Sequence, residues 1–490
     1  MKKFIYIILL VVIACCQANA QSGMSLYHLG NTTFQGNHMN PSFVPNGKFY
    51  MGLPVLSGVM LDINSPYSYN DATTINELGE REWDISGMVS KATDKNYFSL
   101  ESEISTFYVG FKTNSTTGLS LFVRERIAAR GFFSQEVLDF AWNGNRNYVG
   151  TYLDMSTMAA DTRYYREYGL GFWKEIPKQK LQVGVRVKFL NGMVSVISDQ
   201  NFNGNIRIDD DDYSHTIITE NANLNTVGLN LLENGSNSEI QSHFTSNGNI
   251  GFGIDLGMNW QINEYFSTAI SVNDLGYINW KDDAKNYMLA DTTFTFSGLE
   301  LSEIDNIEQA IKDSLLNRFE DSIMYKSYSS GLNTSAYISG TYHLTKQDHF
   351  TATLSPHVVQ GNWRMLYALG YTRQFGNFFS VSANAIRKPQ QGIDFGMATA
   401  LTVGGVQLYM ASDQLIRVWD VPNAKAFDIR FGINFVFGRD KIKKDSRKDL
   451  LHPSAFGKKE KVEKSDGIYW IIPKKKPRPI YNEDPEFTEK

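Results

Sequence analysis

Cysteine is nearly missing from this chain. Of its 490 residues two are cysteine, Cys15 and Cys16, and both lie near the start. A disulfide framework, a Cys-ligated zinc site and thiol catalysis are thereby excluded for everything downstream. Long apolar runs are missing as well. Beyond residue 20 no stretch approaches the ~18–20 apolar residues that a membrane-spanning helix needs. The eight histidines (28, 38, 215, 243, 343, 349, 357 and 452) lack a His-Glu-x-x-His spacing, and there is no Gly-x-Ser-x-Gly elbow, phosphate-cradling loop or dinucleotide fingerprint. His343, His357 and nearby serines therefore read as lumen lining, and the chain reads as non-enzymatic, with no cofactor and no metal. Neither sign of charge dominates, 47 Lys+Arg facing 52 Asp+Glu, so nucleic acid is not an expected partner. With 42% hydrophobic and 13% aromatic residues, the chain as a whole is not disordered.

Residues 1–20 have the layout of an export signal. Lys2 and Lys3 precede an apolar run from Phe4 to Ala14, and Ala18-Asn19-Ala20 is a small-x-small cleavage site. Val12-Ile13-Ala14-Cys15 also resembles a lipoprotein box, so lipidation at Cys15 stays open beside cleavage after Ala20.

What the chain has in abundance is alternation. Ile250, Phe252, Ile254, Leu256, Met258, Trp260 and Ile262 are apolar, and the residues between them are Gly251, Gly253, Asp255, Gly257, Asn259 and Gln261. A strict period of two over this length makes one face oily and the other polar or bare. The pattern recurs at Leu181–Phe189, Phe266–Val272, Trp363–Tyr371 and Phe427–Phe437. The polar faces carry Arg186, Lys188, Asp255, Arg364, Asp428 and Arg430, expected to pair inside a lumen while the oily faces meet hydrocarbon. In lipid an open sheet edge leaves backbone groups unpaired, so such a sheet must close.

Fourteen strands are expected, at 49–61, 102–112, 118–127, 164–176, 181–190, 249–262, 266–280, 332–344, 349–359, 363–374, 378–387, 393–402, 405–412 and 425–437. Each link from an even to an odd strand is five residues or fewer, and the long links all fall on the opposite side. That segregation is what a barrel with short periplasmic turns and long outer loops requires. The fold class is therefore all-β, a closed antiparallel transmembrane barrel of about fourteen strands at 48–438.

Residues 21–47 precede the barrel and contain Asn40-Pro41-Ser42-Phe43-Val44-Pro45, which neither a helix nor a central strand accommodates. This stretch, followed by Gly52-Leu53-Pro54, resembles the N-terminal hatch of the long-chain fatty-acid transporter (FadL-like) superfamily. Barrels of Bacteroidetes associated with type IX secretion, PorV- and PorP-like, resemble it too. The resemblance implies an outer-membrane barrel with an N-terminal plug, to which Asn40 and Pro41 would belong. It also implies passive transport of small apolar or amphipathic molecules, for which the bare positions Gly251, Gly253 and Gly257 would leave room. The other reading is an envelope scaffold with a filled lumen.

Three further segments complete the reading. Ile304, Ile307, Ile311, Leu315, Phe319 and Ile323 recur at helical spacing and predict one outer-loop helix. Asp209 to Asp212 lack the alternating ligand positions of a calcium loop and read as a solvated loop tip. The tail, 439–490, holds 15 Lys+Arg and 10 Asp+Glu around the apolar run Ile468-Tyr469-Trp470-Ile471-Ile472, which suits docking to a periplasmic or envelope protein. The expected surroundings are outer-membrane lipid and lipopolysaccharide, with an apolar ligand and the tail's partner.

Overall fold

The computed structural model describes residues 23–289, 292–296, 323–359, 362–388 and 392–439. Fourteen antiparallel strands close on themselves. They are β1 (Phe49–Gly52, resuming as Val59–Asn64), β2 (Asn96–Lys112), β3 (Thr117–Phe133), β4 (Ala159–Ile176), β5 (Leu181–Ser198), β6 (Ile250–Gln261) and β7 (Phe266–Trp280). The second half comprises β8 (Ser335–His343), β9 (Asp348–Val359), β10 (Asn362–Phe375), β11 (Phe379–Lys388), β12 (Gly392–Val403), β13 (Val406–Ser412) and β14 (Ala426–Phe437). Each strand pairs with its sequence neighbours, and β14 closes the ring on both pieces of β1, from Phe49↔Phe437 to Asn64↔Ala426. The expected strand count holds, and every expected segment overlaps an observed one.

Closure tolerates one interruption. Between the two pieces of β1 the chain bulges outward at Val55, which has a left-handed φ of 67°, and Leu56. Ile433 of β14 still bonds to both sides of the bulge, accepting from Leu53 N (3.2 Å) and donating to Leu56 O (2.8 Å). The short even-to-odd links, 113–116, 177–180, 262–265, 344–347, 376–378 and 404–405, all lie at one end of the barrel.

At the other end β2 to β5 run past the wall, and the long links carry structure that alternation did not reveal. Tyr152–Asp154, Asn203–Ile208, His215–Glu220 and Thr292–Phe296 form a separate four-stranded sheet. Helices at Ile85–Lys91, Gln135–Asn143 and Asn237–Thr245 start at Asp84, Ser134 and Ser236, each side chain accepting from a first-turn amide. The predicted outer-loop helix lies outside the described residues except for Ile323, which belongs to a two-residue strand opposite Tyr287. The tail from 440 and the leader also lie outside them.

The outer wall is apolar. Phe49, Phe111, Trp260, Phe266, Phe350, Phe375 and Phe437 are exposed near the short-turn end, while Phe189, Phe252, Tyr277, Trp363 and Phe395 are exposed farther along. The eleven-residue step from Phe266 to Tyr277 covers ~36 Å of strand, or ~28 Å of height at a tilt of about 40°.

Candidate functional site: the plugged lumen

The interior is filled in two different ways. Along β2–β7 the wall fills it with its own charged side chains. Inward positions alternate in sign from β2 to β6, with Glu103 on β2, Arg124 and Arg126 on β3, Glu167 on β4, Arg186 and Lys188 on β5 and Asp255 on β6, and Asp274 on β7 adds a further anion. Their separations are those of ion pairs: Arg124–Glu167 2.7 Å, Arg126–Glu103 3.1 Å, Arg186–Asp255 2.9 Å, Lys188–Asp255 2.6 Å and Lys188–Asp274 2.5 Å. Arg126 also reaches Asp274 at 2.9 Å, which ties β3 to β7 across the lumen. Four cations meet four anions, so the group is neutral, as burial demands. Nearer the long loops a second set, Glu101, Arg130, Asp161 and Arg163, does the same.

Along β8–β14, between long inward residues such as Tyr337, Arg364, Tyr409 and Arg430, most of the wall's own inward residues are short. They include Ser339, Thr353, Ser355, Thr372, Ser382, Asn384, Ala398, Ala400 and Ser412, all buried. The room they leave is taken by residues 23–45, a plug that touches nearly every strand. Met24, Tyr27 and Phe43 pack with Tyr337, Leu366 and Ile386, and Leu26 and Leu29 pack with Ala398, Ala400 and Tyr409. Phe34 stacks on Tyr108, ring centroids 4.0 Å apart. The backbone amides of Met24 and Ser25 donate to the Asp413 carboxylate at 3.0 and 2.8 Å. His28 bonds to Asn384 and Thr353. Gln35 donates to Asn434 Oδ1 at 2.8 Å.

Asn40 and Pro41 sit where plug and ion network meet. Asn40 Oδ1 accepts from the backbone N (3.0 Å) and hydroxyl (2.7 Å) of Ser42, which folds the turn on itself. The turn rests on Gly184 and Gly257, cross-strand partners on β5 and β6. A Cβ on Gly257 would stand 2.2 Å from Asn40 Oδ1, and one on Gly184 would stand 2.2 Å from Pro41. These glycines therefore admit the plug backbone, and the expectation that Gly257 leaves open space is corrected. Gly251 is likewise closed, by the β7 backbone at Tyr277 and Ile278. Arg186 Nη2 donates to His38 O (2.6 Å), and Ser271 and Asn273 both donate to Met39 O (2.7 Å).

Of the six charged residues singled out in the sequence, Arg186, Lys188 and Asp255 come together in the first network. Asp428 and Arg430 lie on β14, and Arg430 lines the same small cavity as Glu103, Arg126 and Lys188. Asp428 accepts from the backbone N of Asp413 (2.9 Å), the residue that holds the plug's start. Arg364 stands apart, its guanidinium 5.7 Å from the Tyr97 ring. Of the six, Arg186, Lys188 and Asp255 are the ones whose ion pairs join them directly to one another. Sequence reasoning missed Glu103, Arg124, Arg126, Glu167 and Asp274. For Arg124, Arg126 and Glu167 the signal was present, because each occupies the inward register of an expected strand, whereas Glu103 lies beyond a bulge between Ser105 and Phe107 that reverses the facing set by Phe107 and Phe111. Asp274 was hidden: a bulge with φ 62° turns it inward where strict alternation points it outward. Between plug and network remains a cavity of about 70 Å³, lined by His38, Met39, Glu103, Arg126, Lys188, Tyr337 and Arg430 among others. That is room for a few waters. In the loops, the carboxylates of Asp209, Asp210 and Asp211 lie within 4.8 Å of one another, and Asp209 Oδ1 accepts from the Asp211 amide as in a turn.

Fold and interior together define a closed β-barrel with an N-terminal plug. Residues 41–413 match the model of a family of unknown function, DUF5723, and the chain belongs to that family. No curated protein matches. Three solved barrels are similar to it. The toluene transporter TodX of Pseudomonas putida shares 8% identity over 85% of this chain and 93% of its own, with a TM-score of 0.35. A FadL homologue of Pseudomonas aeruginosa shares 8% over 82% and 92%, at 0.37. The translocator domain of the autotransporter NalP from Neisseria meningitidis shares 10% over 80% and 88%, at 0.29. At such scores these likenesses carry no weight in the argument below.

Proposed function

We propose that this protein is an outer-membrane barrel that passes small apolar or amphipathic molecules when its plug moves. The leader exports it, the short turns face the periplasm, and lipid and lipopolysaccharide surround the wall. The outward aromatic residues, spaced to match a hydrocarbon layer, support the membrane placement. The observation that carries transport is the β8–β14 lining: most of its inward side chains are short, and a segment outside the wall occupies the space. Displacement of residues 23–45 leaves a passage lined by hydroxyls, small apolar side chains and one face of the ion network. Such a lining suits molecules with an apolar body and a polar group. In this reading the chain is not an enzyme.

The test is permeability. Liposomes carrying the full-length protein and liposomes carrying a form without residues 23–45 are compared for uptake of small amphipathic solutes. Tight liposomes in both cases, with correctly folded barrels, remove the transport reading.

A second reading, an envelope scaffold with a filled lumen, is favoured by the cross-bracing of β3 to β7 and by the small size of the remaining cavity. On that reading residues 439–490 hold a periplasmic or envelope protein. Crosslinked pull-down with and without 439–490 tests it, and loss of no partner on truncation counts against it.

A further inference from the structure

The inward face carries another constellation, remote from both ion networks, at the short-turn end of β7–β9. His343 ends β8 and His349 lies at the start of β9, and the hairpin register places them directly opposite each other. The rings stand nearly perpendicular (80°), with centroids 4.7 Å apart and Nδ1 atoms 2.8 Å apart. Ser267 Oγ of β7 lies 2.7 Å from Nε2 of His343. All three residues are half-buried, as suits the mouth of a lumen. Sequence spacing could not disclose the pair, because the two histidines lie six residues apart around a turn and only the strand register joins them.

We propose that His343 and His349 form a binding site for a late first-row transition metal, Cu(II) or Ni(II). Imidazole nitrogens bind such metals at about 2.0–2.1 Å, so two ligands in cis positions of a square-planar or tetragonal site stand ~2.9 Å apart, against ~3.3 Å in a tetrahedron. The observed 2.8 Å fits the first geometry. Ser267 supplies the outer-shell partner that such ligands need: accepting Nε2–H of His343, it fixes the tautomer that leaves Nδ1 for the metal. Without metal the two neutral rings share one proton between their Nδ1 atoms, and metal binding shifts that proton to Nε2 of His349, with no net proton release. Water completes the coordination from the mouth of the lumen.

The full-length protein in detergent is titrated with Cu(II) and with Ni(II), beside a His343→Asn/His349→Asn variant of equal heat-modifiable mobility. The parent is expected to bind one more equivalent than the variant. Its Cu(II) paramagnetic resonance spectrum should show two imidazole nitrogens. Ser267→Ala, a change in a positioning residue, is expected to weaken binding by about tenfold while keeping the two-nitrogen spectrum. Equal stoichiometry in parent and double variant, or a spectrum with fewer than two nitrogens, overturns the site. If the double variant does not fold, chemical modification of the parent decides. Protection of both histidines by either metal supports the site, and modification at an unchanged rate overturns it.

Discussion

The two halves of this barrel close their interior by opposite means. From β2 to β7 the wall supplies most of its own filling, because long charged side chains of opposite sign meet across the lumen, and the plug adds only its turn on Gly184 and Gly257 and the Phe34 ring. From β8 to β14 the wall is incomplete, because its short inward residues would enclose empty space without Met24 to Phe43. Self-filled wall is fixed by the strands themselves, whereas plug-filled wall can change without any strand moving.

That contrast can be broken. Deletion of residues 23–45 should have the largest effect, turning a tight barrel into a leaky one while heat-modifiable mobility survives on the strength of β2–β7. If the deletion form stays impermeable, or no longer folds, the halves are not independent. Next comes Glu167→Gln. Removing one charge from the buried network leaves it with one cation too many, Arg124 keeping only its 3.4 Å contact with Glu103, and should cost about 3–5 kcal/mol in urea unfolding. Gly257→Val drives a side chain into Asn40 and Pro41, for an expected cost of about 1–3 kcal/mol. Its leak should fall between those of the parent and the deletion form. Asn384→Ala removes the Asn384–His28 bond and should cost only about 1 kcal/mol.

The smallest effect concerns neither half, and so measures how far the loops are uncoupled from the barrel. Lys91, 2.9 Å away, holds the Asp71 carboxyl well below the usual carboxylate range, helped by Ser68 and Lys425. A depressed carboxylate contributes its stabilisation fully above its unfolded value of about 4 and loses it as pH falls through the folded value. Lys91 is nearly half-exposed, so solvent screening limits the pair to about 1 kcal/mol or less. Asp71→Asn should therefore lower stability slightly at pH 7, and the deficit should shrink toward pH 2.

The wall was legible in the sequence because period two is a direct consequence of having different solvents on two faces. All fourteen segments and the segregation of short turns emerge from that rule alone. Asn40 and Pro41 were legible as something other than wall, since proline cannot join a ladder. The glycines beneath them were legible only as bare positions: what occupies a bare position is a tertiary fact, and here it is the chain's own backbone. Asp274 escaped because a bulge reverses the facing that alternation assigns. The loop sheet escaped for another reason. Its strands, such as Asn203–Ile208, are short and pair with segments far away in sequence, so no local period marks them.

The closing seam has a consequence for assembly. Phe49 waits for Phe437, nearly the whole chain away, before the ring can shut. The plug waits too, since Asp413 and Asn434, which hold Met24, Ser25 and Gln35, belong to the last stretch to be made. Met24 and Ser25 thus take their places only after β13 and the residue that follows it exist, and a nascent chain missing its last two strands lacks the carboxylate that holds them.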